Sequence, residues 1–295
     1  MITLTDVTRR FGSGSGQRVA VDRLSMTIAP GEVLGLLGPN GAGKTTTISM
    51  IVGLLRPSDG RIRLSVPGVA GELDPFDASA KSHLGIATQS VSLYDELSGK
   101  ENLRLFGSLF SLSRSTLATR VEECLRLVGL TDRAGDRVEA YSGGMKRRLN
   151  VAAALVHDPA IVLLDEPTAG VDPHSRHALF EIVRHLKSQG KTVIYSTHYM
   201  EEAQQLCDRV AIIDHGKLLA LGSVDDLIRQ HGGSSIVRIQ RVNADTPEVT
   251  VTDEPLETLR LALSESERAN VKSAAVQSPD LQAVFLSLTG RELRD

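Results

Sequence analysis

The stretch that most constrains this chain is Gly38-Pro39-Asn40-Gly41-Ala42-Gly43-Lys44-Thr45-Thr46. It follows the apolar run Val33-Leu34-Gly35-Leu36-Leu37 and precedes a segment patterned as a helix over residues 46–55. Strand, glycine-rich loop and helix in that order are the context a phosphate-binding loop needs. The glycines let the backbone curl until successive N–H groups converge on one anion. The helix that follows adds the partial positive charge of its N-terminus. In such a loop Lys44 can reach the β- and γ-phosphates, and the Thr45 hydroxyl can ligate Mg²⁺. The rest of the chain is therefore read as what is built around a nucleoside triphosphate site.

At 295 residues the chain has room for one full domain and a smaller one. Its formal net charge of −3 gives no reason to expect nucleic acid as a partner. The two cysteines, Cys124 and Cys207, are isolated, which argues against a disulfide framework or a metal cluster and suits a reducing cytoplasm. No apolar run approaches the ~20 residues of a membrane span. The first residues, Met1-Ile2-Thr3-Leu4-Thr5-Asp6, lack the features of a signal peptide. A soluble chain is expected, with any membrane role running through a partner.

Ahead of the loop, residues 2–7 and 19–28 read as strands of a β layer, joined by Gly12-Ser13-Gly14-Ser15-Gly16. Phe11 stands beside that connector, either to stack on an adenine ring or to pack as a loop aromatic. Residues 61–66 read as a short strand, and residues 84–88 as a buried strand ending at Gln89. Helical spacing then takes over: Leu103, Phe106, Leu109 and Phe110, followed by Leu117, Val121, Cys124, Leu125 and Val128. Residues 93–155 are read as an all-α insertion in an α/β domain. Within it Tyr141-Ser142-Gly143-Gly144-Met145 opens a helix over residues 145–156. Ser142 and the two glycines there make a second anion-binding helix N-terminus, or a cap and turn alone.

Ile161-Val162-Leu163-Leu164 predicts a buried parallel strand. Asp165 ends it, where open α/β sheets place their ligand groups. An Asp there can hold Mg²⁺ through water beside Thr45, and Glu166 can take a proton from the water that attacks the γ-phosphate. Asp172, before Pro173, suits the N-cap of a helix over residues 174–189. A strand over residues 192–196 brings His198 to the same sheet edge as Asp165, making it a candidate for γ-phosphate contact. Strands at residues 209–214 and 217–221 turn at His215-Gly216, and a helix follows at residues 224–230. His231-Gly232-Gly233-Ser234-Ser235 reads as a linker. Domains are expected at residues 1–232 and 233–295, the second a small α+β unit with strands at 236–242, 249–252 and 271–276. Its helices are expected at 255–263, with Leu256, Leu259 and Leu263 on one face, and at 281–288.

Taken in order, these motifs resemble the ATPase subunit of an ATP-binding cassette (ABC) transporter over residues 1–232. Residues 38–46 match its Walker A loop and residues 161–167 its Walker B strand. Gln89 matches the Q-loop glutamine, Tyr141 to Met145 the signature, Asp172 the D-loop and His198 the H-loop histidine, while Phe11 takes the place of the adenine-stacking A-loop aromatic. The resemblance implies a P-loop ATPase core with an antiparallel β layer, and two cassettes that meet head to tail. ATP and Mg²⁺ held by Lys44, Thr45, Gln89 and Asp165 of one would be closed off by Ser142, Gly143 and Gly144 of the other. It further implies Glu166 as base, His198 on the γ-phosphate, Asp172 reaching across the dimer, and Gln89 leading to residues 93–102, where an integral membrane permease would dock. The cassette would then sit in the cytoplasm, on the inner face of the membrane.

The signature departs from the common Leu-Ser-Gly-Gly-Gln at its first and last residues, here Tyr141 and Met145. That variant is similar to bacterial export cassettes for drugs, polysaccharides or lipids, and so is the tail at residues 278–293. Export is the expected direction. The alternatives are an importer cassette or a soluble ABC ATPase. Soluble translation-type members carry two cassettes and repair-type members long coiled coils, and this chain has neither.

Overall fold

The computed structural model describes residues 1–264 and 270–290. The chain divides into two compact units between Leu221 and Gly222.

The larger unit opens with β1 (Ile2–Phe11) and β2 (Arg18–Ile28). Then come β3 (Val33–Leu37), α1 (Lys44–Ile51), β4 (Asp59–Leu64), the short α2 (Ala78–Lys81) and β5 (Leu84–Ala87). Three helices follow without an intervening strand: α3 (Gly99–Ser108), α4 (Arg114–Leu127) and α5 (Gly143–Leu155). The unit closes with β6 (Ile161–Asp165), α6 (Pro173–Ser188), β7 (Thr192–Thr197), α7 (Met200–Leu206), β8 (Arg209–Asp214) and β9 (Lys217–Gly222).

β1 pairs antiparallel with β2 on one side and β4 on the other. The main sheet has the order β5-β6-β7-β3-β8-β9. Its pairs β5–β6, β6–β7, β7–β3 and β3–β8 are parallel. The register sets Asp165 beside Ser196, and Leu37 beside Thr197. The phosphate loop, the Asp-Glu pair and His198 therefore leave the sheet along one edge.

The strands of this sheet alternate between two cores, because successive side chains point to opposite faces. Val162, Leu164, Val193 and Tyr195 pack with Leu149, Val151, Ala152 and Leu155 of α5. Leu34, Leu36, Leu163 and Ile194 pack with Ile48, Met50 and Ile51 of α1 and with the antiparallel sheet. A Ser98–Glu101 capping box starts α3, each side chain bonding the other residue's backbone N–H.

Three local expectations shift. α1 starts at Lys44 and stops at Ile51 instead of spanning residues 46–55. Gly53 ends it, at φ 68° and so close to Pro75 O that a Cβ would lie at 2.1 Å. α3 ends before Leu109, which is 72% exposed, and Phe110 stacks face to face on His157 with ring centroids 3.6 Å apart. α7 is an element that the apolar spacing did not single out.

The smaller unit holds α8 (Val224–His231), β10 (Ser235–Arg241), β11 (Glu248–Thr252), α9 (Pro255–Ala262), β12 (Val271–Gln277) and α10 (Leu281–Thr289). β10 lies between β11 and β12 in an antiparallel sheet. The expected linker at Gly232 and Gly233 is only a turn: Gly232 N bonds Ile228 O to close α8, and Ser235 already starts β10. The units part before α8, which packs on α10. α9 buries none of its residues, and Leu256 is 77% exposed, although the helix packs on β10. Of the tail likeness, residues 291–293 lie outside the described residues. Among the described residues no helix is long and apolar enough to cross a membrane.

Candidate active site

The edge where the strands end carries the chemistry. Lys44, the first residue of α1, is buried. Its Nζ donates to Gly38 O at 2.7 Å and to Pro39 O at 3.1 Å, and stands 3.0 Å from Glu166 Oε1. Two bonds to its own loop hold the ammonium over the loop's centre, as an anion site requires. The loop opens into a cavity of about 410 Å³ lined by Phe11, Arg18, Asn40, Gly41, Ala42, Gly43, Lys44, Thr45, Thr46, Gln89 and Glu166. Phe11 is 40% exposed there, with the Arg9 guanidinium 4.6 Å from its ring centroid. Arg18 adds a cation that sequence reading passed over, since one arginine at a strand start carries no signal.

Glu166 is the hub. It follows β6 in the left-handed region at φ 45°, a strained conformation for a residue with a side chain. Its N–H donates to Ser196 O at 3.2 Å and to Ser196 Oγ at 3.0 Å, which holds it there. The turn sends the carboxylate back over the loop. Oε1 meets Lys44, and Oε2 accepts from Gln89 Nε2 at 3.2 Å. His198 Nδ1, which has no hydrogen bond among the described residues, stands 3.4 Å from the same Oε2. A carboxylate that meets a cation, an amide donor and an imidazole can exchange a proton with a water held beside it.

Asp165 is buried and accepts the Ser196 hydroxyl on Oδ1 at 2.5 Å. It shares a second cavity, of about 390 Å³, with Thr45 and Gln89. Hydroxyl, amide and carboxylate oxygens make a hard donor set that fits Mg²⁺ and would not suit a soft metal.

Ser142, Gly143, Gly144 and Asp172 line neither cavity. Ser142 caps α5 by accepting from Met145 N at 3.2 Å. Asp172 caps α6, accepting from Ser175 N at 2.9 Å and Ser175 Oγ at 2.7 Å, and these bonds hold its carboxyl below the usual range. The two helix starts touch. A Cβ on Gly144 would lie 2.1 Å from Ser175 Oγ, so only glycine admits this approach. Both variant signature residues touch the core, Tyr141 buried and Met145 half-buried. Tyr141 is buried and its hydroxyl donates to Arg133 O at 2.6 Å, while Met145 packs against the core around α5.

Two buried residues escaped sequence reading. Arg147, on α5, donates to backbone carbonyls at Thr88, Gln89 and Ala169. Glu202, on α7, is 2% exposed. Its Oε2 accepts three hydroxyls, from Thr168 at 3.0 Å, Tyr195 at 3.0 Å and Thr197 at 2.8 Å.

A lysine-bearing phosphate loop after β3 and an Asp-Glu pair at the end of β6, parallel strands of one sheet with β7 between them, define a P-loop ATPase. A family profile described as ABC transporter matches residues 21–169. The linearmycin resistance ATP-binding protein LnrL of Bacillus subtilis is 41% identical, over 95% of this chain and 96% of that protein. The Nod factor export ATP-binding protein I of Rhizobium sp. strain N33 is 39% identical, over 99% of this chain and 98% of that protein. Among solved structures, the dimeric post-hydrolysis ATP-binding cassette MJ0796, bound to ADP and phosphate, superposes with a TM-score of 0.68. It is 25% identical, over 76% of this chain and 98% of that one. The chain belongs to the ABC transporter family, as a cassette that binds and hydrolyses ATP.

Proposed function

We propose that this cassette energises an export permease, a separate membrane protein, by closing head to tail on a second copy around ATP. The observation that carries this reading is a separation. The loop cavity holds Lys44, Thr45, Gln89 and Glu166, while the second helix N-terminus, at Ser142 and Gly143, lies exposed and lines no part of it. A second chain can bring that N-terminus to the γ-phosphate that the first chain holds. The solved dimer of MJ0796 supports pairing, and the names of the relatives, Nod factor export and linearmycin resistance, support export.

ATP's phosphates compete with Glu166 for Lys44. Once Lys44 turns to them, Glu166 loses its cation and is free to take the proton of the attacking water. Gln89 orients that carboxylate through its amide, and His198 on the far side of Oε2 steadies the γ-phosphate. Phe11 receives the adenine ring on its open face. Thr45, Gln89 and Asp165 would hold Mg²⁺, which offsets the charge of the phosphate oxygens. Asp172 reports closure to the second cassette from the start of α6. Through its permease the cassette works at the cytoplasmic face of the membrane.

Glu166→Gln tests the reading. It should cut turnover by about 100-fold or more and leave an ATP-dependent dimer stable enough to see by size-exclusion chromatography. Turnover near wild type would remove Glu166 from the role of base.

A further inference from the structure

α5 starts at Ser142 and, one to two turns later, grips two loops of the active site. Arg147 is 8% exposed. Its Nη1 donates to Thr88 O at 3.3 Å and to Gln89 O, and its Nη2 donates to Ala169 O at 3.3 Å. Burial lowers the Arg147 pKa, against the opposing pull of Asp165 and Glu166 behind it. Asn150, 5% exposed, lies three residues further along the same helix. Its Nδ2 donates to Thr88 O at 3.2 Å, and its Oδ1 accepts from Ser92 N at 3.2 Å.

These bonds attach the backbone on both sides of Gln89, and the turn between Glu166 and Asp172, to one rigid helix. A guanidinium is a preorganised fork suited to diverging acceptors. Pulling it off its carbonyls would leave a charge buried without partners, so a shift of α5 drags both loops along instead of parting from them. The last link is the bond from Gln89 Nε2 to Glu166 Oε2.

We propose that Arg147, supported by Asn150, is a positioning residue that makes Gln89 and Ala169 move with the N-terminus of α5. The nucleotide of the second cassette, felt at Ser142, thereby sets the geometry of Glu166 in this one. The proposal rests on the head-to-tail reading above, and its test separates the two.

The intact chain would carry Arg147→Met or Arg147→Lys, each alone and combined with Glu166→Gln. ATP affinity is read with a fluorescent ATP analogue, turnover as kcat, KM and Hill coefficient, and closure as the ATP-trapped dimer on size exclusion. Arg147→Met should keep ATP affinity within about twofold and still trap a dimer, while kcat falls about tenfold and cooperativity in ATP disappears. Arg147→Lys should regain part of both, since an ammonium can serve one of the carbonyls. Wild-type kcat and Hill coefficient in Arg147→Met overturn the proposal. So does a kcat that falls only in step with ATP affinity and is not rescued by lysine, the mark of a merely structural residue. Should Arg147→Met not fold, Arg147→Lys and Asn150→Ala carry the same comparison. If the Glu166→Gln chain with native Arg147 traps no dimer, the head-to-tail reading fails first and this proposal with it. A trapped dimer beside unaltered Arg147→Met kinetics sinks this proposal alone.

Discussion

Replacing Glu202 by alanine should destabilise the larger unit by an amount that the structure lets one work out. The carboxylate is 2% exposed and is the shared acceptor of the Thr168, Tyr195 and Thr197 hydroxyls. All three donors are themselves buried. Alanine leaves each without this acceptor, at about 1 kcal/mol apiece, or about 3 kcal/mol together. For a unit of about 220 residues that is a fall of about 6–12 °C in Tm. Glutamine keeps an acceptor oxygen but gives up the charge, and should cost about 1 kcal/mol, or about 2–4 °C. The assay is thermal unfolding followed by circular dichroism at neutral pH, with both variants beside the wild type. An alanine variant that melts within about 1 °C of wild type would refute the reasoning, because it would mean that the hydroxyls find water or one another at no loss. Equal losses in both variants would refute the finer argument that the oxygen, more than its charge, is what the site needs.

Lys44→Ala should abolish tight ATP binding, measured by calorimetry, and unchanged affinity would contradict the role of the loop lysine. His157 gives a pH signature. Burial lowers its pKa from 6.5 to about 4, so the folded chain keeps the ring neutral while the unfolded chain is protonated below 6.5. Its contribution is complete above pH 6.5 and declines as the pH falls towards 4, by at most about 1.4 kcal/mol per pH unit. His157→Phe, which keeps the stack on Phe110, should flatten the urea midpoint across that window, and an unchanged slope would contradict the assignment. Ending the chain at Leu221 should leave ATP affinity intact, since among the described residues the buried cores behind the site draw on none beyond it. Loss of ATP binding in that shortened chain would mean that the units do not part where the contacts divide them.

The strand edge was legible in the sequence because its signals are local. A short apolar run ending in Asp165-Glu166, or glycines ahead of Lys44, need no knowledge of what lies across the fold. The grip of Arg147 was not legible, because its acceptors Thr88 and Gln89 lie 59 and 58 residues away, with no spacing rule to connect them. Glu202 failed the same way: in sequence it is one acid among the polar residues of α7, and its meaning comes from Thr168, 34 positions earlier. Tyr141 and Met145 show a third limit. Their departure from the common signature is visible in the sequence, but not that both pack against the core around α5. The domain boundary misled for a composition reason. Two glycines after His231 look like a linker, whereas the docking of α8 on α10 is non-local and moves the division back to Gly222.

The two cores that flank the main sheet divide the labour of the site. α1, behind the phosphate loop, is rooted in the core it shares with the antiparallel sheet, and α5, behind Ser142, in the core of the helical insertion. Alternate residues of the same strands serve the two cores, Val162 and Leu164 the one and Leu163 the other. Under the head-to-tail pairing proposed above, a substitution in the first core would act on how tightly a chain holds its own nucleotide, and one in the second on how α5 meets a neighbour's and, through Arg147, on the Gln89 loop of its own site.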